Sequence, residues 1–179
     1  MTQRTRLKYR RRSFIRALGA GGVAAMTGCL GTDENEDGGE DWQSQTLEDT
    51  TTGTEFHIGD FENPVIVHTF AANCLTCARQ QTEFRVLWDQ RDDFEIVELS
   101  IDPNDTPEDL TDHAEAAGLE WRVGVAPESV TGQLVDEFGQ AVTVSAQSPI
   151  IIVCPDGTTD TLSKIAGPDE IESTIEDAC

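Results

Sequence analysis

A chain of 179 residues with five cysteines and a formal charge of −22 has room for one domain plus appendages. Its first 28 residues carry seven Lys or Arg and no acid, so the rest sets 34 acidic side chains against five basic ones, a net charge of −29 that repels nucleic acid and anionic lipid surfaces. Apolar strands and periodic helices along that remainder exclude a disordered acidic chain, and an acidic, lysine-poor surface suits a halophilic domain in very high salt, where repulsion is screened over a few Å.

Residues 1–28 read as an address. Arg11-Arg12-Ser13-Phe14-Ile15-Arg16 resembles the twin-arginine export motif. The Gly/Ala-rich stretch from Ala17 to Thr27 is about half the length that a membrane span needs. Met26-Thr27-Gly28-Cys29 resembles a lipobox with Met26 in the place of the usual Leu, which implies a mature chain that begins at a lipid-bearing Cys29. Cleavage nearby, with Cys29 incidental, is the alternative. Residues 29–44 include the run Asp33-Glu34-Asn35-Glu36-Asp37 and read as a disordered acidic tether, extended by self-repulsion. The composition changes around Gln45, and the domain is placed at 45–179.

Within the domain, Thr54-Glu55-Phe56-His57-Ile58 alternates as a short strand does, with Gln45-Thr46-Leu47 as its partner. Val65-Ile66-Val67-His68-Thr69-Phe70 is mostly apolar and reads as a central strand buried on both faces. Phe84, Leu87 and Trp88 then recur at helical spacing in register with Cys77. Residues 94–101 form the next strand. Thr106 as N-cap, Pro107 in the first turn and the acids after it start a second helix, lined by Leu110, Ala114 and Ala117 and ended by Gly118. Val130, Leu134, Val135 and Phe138 mark a third, stopped by Gly139. Ile150-Ile151-Ile152-Val153 is a second buried strand, followed by the turn Pro155-Asp156-Gly157-Thr158 and an edge strand near 161–165. Ile171 and Ile175 lie on a final helix. The order β, β, α, β, α, α, β, β, α predicts an α/β layer structure with a mixed sheet.

Cys74-Leu75-Thr76-Cys77 stands where the central strand passes into the first helix. Two cysteines three apart can close a small disulfide. Free backbone N–H groups and the helix dipole favour a thiolate at a helix start. Strand, C-x-x-C, then helix is the arrangement of a thiol–disulfide exchange site. In that chemistry Cys74 is the nucleophile, and Cys77, one turn later and more buried, resolves the mixed disulfide. A static disulfide or half a zinc site would use the same residues. His68, six residues before Cys74, is a candidate base for Cys77, with an ordinary pKa near 6.5. A core histidine bonded to backbone is the alternative. His57 and His113 read as surface positions. Cys154 reads as a buried small hydrophobe, about 16 Å beyond Pro149 along a strand, which disfavours a four-cysteine zinc site. A Cys154–Cys179 bridge stays open. Trp42, Trp88 and Trp121 read as packing or tether residues.

The segment from Gln45 to Phe84, built around Cys74-Leu75-Thr76-Cys77, resembles thioredoxin-fold proteins of the TlpA/ResA type, which are exported, membrane-tethered thiol–disulfide oxidoreductases. The similarity extends over nearly all of the domain. It implies a thioredoxin-like α/β fold, with a central mixed β-sheet flanked by helices. Ser148-Pro149 matches the family's cis-proline, which packs beside the C-x-x-C and presents the Ser148 backbone to substrate; Asp156-Gly157 matches the hairpin that follows. In thioredoxin itself the position of His68 holds a buried acid that shuttles a proton for the second cysteine. The implied partners are exported protein thiols and disulfides, such as apocytochromes or copper-site proteins, a membrane electron donor, and the membrane through the lipid anchor at Cys29. The implied location is extracytoplasmic. No cofactor, metal or nucleic acid is expected. Two departures stand out: Asn73 replaces the usual Trp, and Leu75-Thr76 lacks Pro. Leu99-Ser100-Ile101-Asp102-Pro103 also resembles copper-delivery proteins of the Sco type and some peroxiredoxin relatives. Sco-type proteins use C-x-x-x-C and a distal His, whereas Ser145-Ala146-Gln147-Ser148 contains none. The alternative function is a Sco-like copper carrier using Cys74 and Cys77; a peroxidase is the third.

Overall fold

A computed structural model describes residues 41–179; Arg11, Arg12, Cys29 and the expected tether up to residue 40 lie outside the described residues. The chain runs through β1 (Leu47–Asp49), β2 (Thr54–Phe56), β3 (Val65–Phe70), α1 (Leu75–Gln90), β4 (Glu95–Ser100), α2 (Pro107–Ala117), β5 (Arg122–Val125), α3 (Glu128–Phe138), β6 (Ile150–Val153), β7 (Thr159–Leu162) and α4 (Pro168–Ala178). β1 and β2 form a separate hairpin, with Leu47 opposite Phe56. The other strands make one sheet in the order β5-β4-β3-β6-β7. β3, β4 and β5 are parallel, while β6 pairs antiparallel with both β3 and β7, as the mixed-sheet expectation requires.

Every residue of β3 is buried, because the sheet is covered on both faces. Ile66 and Phe70 point into a core with Phe84 and Leu87 of α1, Leu110 of α2 and Ile171 of α4. Val65 and Val67 point to the opposite core, with Val130 and Leu134 of α3 and with Leu47 and Trp42. Trp42 Nε1 donates to Glu137 at 2.7 Å, and Gln43 Nε2 donates to the Gly157 carbonyl at 3.1 Å, so the packed unit takes in residues ahead of the composition change at Gln45. The start of α2 is a full capping box between Thr106 and Asp109, and Gly118 ends that helix with φ 64°, in the left-handed region.

β5 is the element that sequence reading passed over. It has four residues, among them Arg122 and Gly124, which blur its apolar pattern. Gly124 is there for space: a Cβ would sit 2.5 Å from the Glu48 carbonyl oxygen of β1. Thr50 N donates to the Val123 carbonyl at 2.8 Å, which pins the hairpin to this edge. β7 begins two residues earlier than the stretch 161–165 expected for it.

Cys154 is buried, as expected, but it is not free: it forms a disulfide with Cys179, Cα–Cα 5.3 Å. The bridge spans 25 positions and ties the end of β6 to the end of α4.

One ionisable pair lies wholly inside. In the parallel register of β3 and β4, His68 stands beside Glu98, and Nδ1 is 2.5 Å from Oε1. Glu98 Oε2 also accepts from Gln81 Nε2 at 2.9 Å and from Trp121 Nε1 at 3.1 Å. Burial lowers the His68 pKa more than the neighbouring carboxylate raises it, so the ring is neutral and donates Nδ1–H to Glu98. His68 Nε2 has no hydrogen-bond partner. The pair is a histidine–carboxylate contact where the alternative reading expected a bond to backbone.

Removing the second disulfide through C154A/C179A frees a loop of 25 positions and should lower unfolding stability by about 3 kcal/mol, read from urea titrations of both proteins. The folded state resists protonating His68, while the unfolded chain takes up that proton below about pH 6.5. Its contribution is therefore complete above pH 6.5 and is lost as the pH falls below that value. His68→Gln keeps an N–H donor for Glu98 and should flatten the fall in unfolding free energy between pH 6.5 and 5; an unchanged slope would mean that other groups govern it.

Candidate active site

β3 ends at Phe70, and the chain turns through Ala71 to Asn73 before α1 begins. Asp105 fixes this turn: its Oδ2 accepts from Ala72 N at 2.9 Å and from Ser100 Oγ at 2.6 Å. Cys74 N donates to the Ala71 carbonyl at 3.0 Å, and Cys74 then occupies the N-cap of α1 with extended backbone. Its Sγ accepts from Cys77 N at 3.2 Å, the bond that an N-cap oxygen makes elsewhere. The first turn of α1 contains no acid, so the positive end of the helix acts on this sulfur unopposed within its own turn.

Cys74 and Cys77 are joined as a disulfide, with Cα atoms 5.2 Å apart. The two sulfurs differ in surroundings. Cys74 is half-buried beside Leu75, which is 84% exposed, whereas Cys77 is 1% exposed and belongs to the core. An outer sulfur that a partner can reach and an inner one that it cannot is the asymmetry expected of nucleophile and resolver.

Around Cys77 the structure assembles groups that sequence reading missed. Cys77 Sγ lies 3.3 Å from the Ser145 carbonyl oxygen and 3.8 Å from Lys164 Nζ. Lys164 Nζ donates to Ser145 O at 2.7 Å, to Ser148 Oγ at 2.8 Å and to Thr69 O at 3.1 Å. Ser148 Oγ in turn donates to Thr69 O at 2.8 Å. Burial pulls the Lys164 ammonium down to about 8, partly opposed by the Glu98 carboxylate. A signal was present in the sequence. The chain has two lysines, Lys8 and Lys164, so the domain placed at 45–179 keeps a single lysine among its acids.

Of the residues expected at the site, Cys74 and Cys77 come together. His68 is held in the core network: Nδ1 is committed to Glu98 and Nε2 is unpartnered, so no hydrogen bond links the ring to either sulfur. Lys164 Nζ is the side-chain polar group that the structure places within hydrogen-bonding reach of Cys77 Sγ. Pro149 lines an open cavity of about 620 Å³ together with Gln147, Thr161, Ser163 and Lys164. The cis form implied by resemblance is not found, because Ser148–Pro149 is not among the cis bonds of the described residues. The preceding segment turns through hydrogen bonds from Gln147 N and Ser148 N to the Val144 carbonyl, 2.7 and 2.8 Å, and Ser148 is anchored through its side chain. His113, expected at the surface, is half-buried and sits 3.0 Å from Gln81 Nε2. Cys154 follows β6 at the end opposite Pro149, so the second disulfide stands apart from this site.

No protein-family model matches the sequence, and a comparison with curated proteins finds no match either. Solved structures do resemble it. A candidate electron transfer protein of Aquifex aeolicus superposes with a TM-score of 0.63 at 18% identity, covering 75% of this chain and 92% of the other. The thioredoxin domain of a Bacteroides vulgatus thiol-disulfide oxidoreductase gives 0.56 at 20%, covering 74% and 91%. A secreted Mycobacterium tuberculosis disulfide oxidoreductase homologous to E. coli DsbE gives 0.57 at 11%, covering 78% and 99%. Likeness at these identities speaks to architecture, and together with the sheet order and the Cys74–Cys77 disulfide at the head of α1 it establishes that the domain has the thioredoxin-like α/β fold.

Proposed function

We propose that this protein is an extracytoplasmic thiol–disulfide oxidoreductase that works through Cys74 and Cys77 on the thiols and disulfides of exported proteins. The observation that carries the reading is the asymmetry of the pair: Cys74 at the N-cap accepting the Cys77 N–H, and Cys77 buried against an ammonium. The solved relatives include proteins described as thiol-disulfide oxidoreductases, which supports the same chemistry.

In the reducing direction, the Cys74 thiolate attacks one sulfur of a substrate disulfide. The other substrate sulfur leaves as thiolate, and a mixed disulfide joins the two proteins. Cys77 then attacks the Cys74 sulfur and expels the second substrate thiol. Two electrons pass to the substrate and the Cys74–Cys77 disulfide remains. An electron donor at the membrane restores the dithiol. The reverse sequence oxidises a substrate dithiol. Substrate meets the protein at the exposed Leu75 and along the cavity that Gln147 and Pro149 line.

The address at the N-terminus supports placing this chemistry outside the cytoplasm. A twin-arginine motif at Arg11-Arg12 exports the folded chain, lipid on Cys29 holds it at the membrane, and the acidic residues that follow space the domain from the surface. Apocytochromes and copper-site proteins with paired cysteines are the fitting clients. The acidic surface belongs to a protein that works in concentrated salt. Copper carriage is the weaker reading, since among the described residues no group of three or more His, Cys, Asp or Glu gathers as a metal site and His68 is committed to Glu98.

Cys74→Ser should lower insulin-disulfide reduction in molar KCl by at least a hundredfold; retained activity would overturn the assignment. Cys77→Ser should still react once and accumulate the mixed disulfide, visible as a mass adduct that dithiothreitol removes. Cys29→Ser should move the protein from the membrane fraction to the soluble one in fractionated cells, and retention at the membrane would count against the lipid anchor.

A further inference from the structure

Lys164 has no evident part in holding the fold's hydrophobic cores, yet it is half-buried at the meeting point of three segments. Its three N–H bonds go to Thr69 O at the end of β3, and to Ser145 O and Ser148 Oγ in the loop before β6. Those three bonds are shorter than the fourth contact, to sulfur. The charge nevertheless sits 3.8 Å from Cys77 Sγ. Among the described residues no carboxylate is in ion-pair contact with Lys164, in a chain that has 34 of them. The charged and titratable groups that bear on it are Glu98 from β4, which acts through space, His68 from β3, which is neutral, and Cys77 itself.

We propose that Lys164 is a positioning residue whose ammonium stabilises the Cys77 thiolate of the reduced pair and so biases the Cys74–Cys77 couple toward the dithiol. This deepens the proposed function and rests on it for its biological meaning. In the oxidised protein the ammonium is desolvated without a close counter-ion. When a donor thiolate attacks the Cys74 sulfur, the Cys74–Cys77 bond breaks and the Cys77 sulfur leaves with the electron pair. A negative charge then appears 3.8 Å from Nζ, in surroundings where Coulomb attraction is stronger than in water. Reduction therefore completes an ion pair that oxidation takes apart. A reduced form stabilised in this way raises the reduction potential and makes the disulfide the better oxidant. The acceptors on Lys164 hold the ammonium in place through both states, so the charge needs no rearrangement when the thiolate forms.

Two measurements test this. In a Cys74→Ala background Cys77 is the single site thiol, and its thiolate is followed by absorbance at 240 nm against pH, in molar KCl. Lys164→Gln keeps two N–H donors and removes the charge; it should shift the thiolate–thiol equilibrium at least tenfold toward thiol, while Lys164→Arg restores most of the thiolate. In the protein with both cysteines, equilibration with dithiothreitol should show K164Q displaced at least tenfold toward the disulfide, about 30 mV for a two-electron couple. Circular dichroism of each variant shows that the fold is kept, and K164R reads the charge where K164Q loosens the loop. Equal titrations and equal potentials in K164Q, K164R and the parent would overturn the inference. Insulin reduction by the parent with these readouts unmoved would sink Lys164 alone; titrations that follow the charge in a protein that exchanges no disulfide would sink the function and leave Lys164 standing.

Discussion

Everything at the site hangs from one strand. β3 is buried along its whole length and paired on both sides, parallel to β4 and antiparallel to β6. A strand in that position has no freedom to slip, since a shift of one residue would exchange its two buried faces. Its last residues therefore deliver fixed atoms to fixed places. His68 meets Glu98, the Thr69 carbonyl receives Lys164 and Ser148, and Phe70 hands the chain to the turn that carries Cys74. The sulfur chemistry inherits its geometry from this register.

Charge inside the domain is arranged against the trend outside. The surface is crowded with acids, yet the first turn of α1 has none and the buried carboxylate of Glu98 is answered by three neutral donors: the His68 ring, the Gln81 amide and the Trp121 indole. Neutral donors satisfy the oxygens without cancelling the charge, so the field of Glu98 extends to Lys164 and offsets part of the cost of burying an ammonium there. The pair is separated rather than locked together. That separation is what leaves the Lys164 charge available to a sulfur, since an ammonium in direct contact with a carboxylate would already be neutralised.

The Cys74–Cys77 site and most of the fold were legible in sequence because they are written locally. The spacing of the two cysteines, the apolar run before them and the helical recurrence of Phe84 and Leu87 all lie within about twenty positions. Thr106, Pro107 and Gly118 likewise signal the ends of α2 through their own backbone preferences. The features that escaped depend on distant contacts. β5 is short, and its Gly124 answers to the backbone of Glu48 rather than to any periodic pattern. Lys164 falls between β7 and α4, in no regular element, and acquires its surroundings from Thr69, Ser145 and Cys77, each on a different part of the chain. The bridge from Cys154 to Cys179 is of the same kind, since spacing alone cannot say which thiols a fold brings within reach. The trans bond before Pro149 shows the limit of reading by resemblance: a motif carries over its residues without the backbone state that surrounds them.

A domain stripped of lysine except at one place has also become selective toward electrophiles. Between residues 41 and 179 the Lys164 amine is the only primary side-chain amine, so any acylating or reductively alkylating agent that finds a lysine in this domain finds the redox site. Burial that pulls its ammonium down to about 8 leaves a larger share of nucleophilic free amine near neutral pH than an ordinary lysine has. Acylation of that amine would erase the charge beside Cys77 in the same act, whereas reductive alkylation would keep it. On the role proposed for Lys164, acylating that single side chain would shift the electrochemistry of the disulfide.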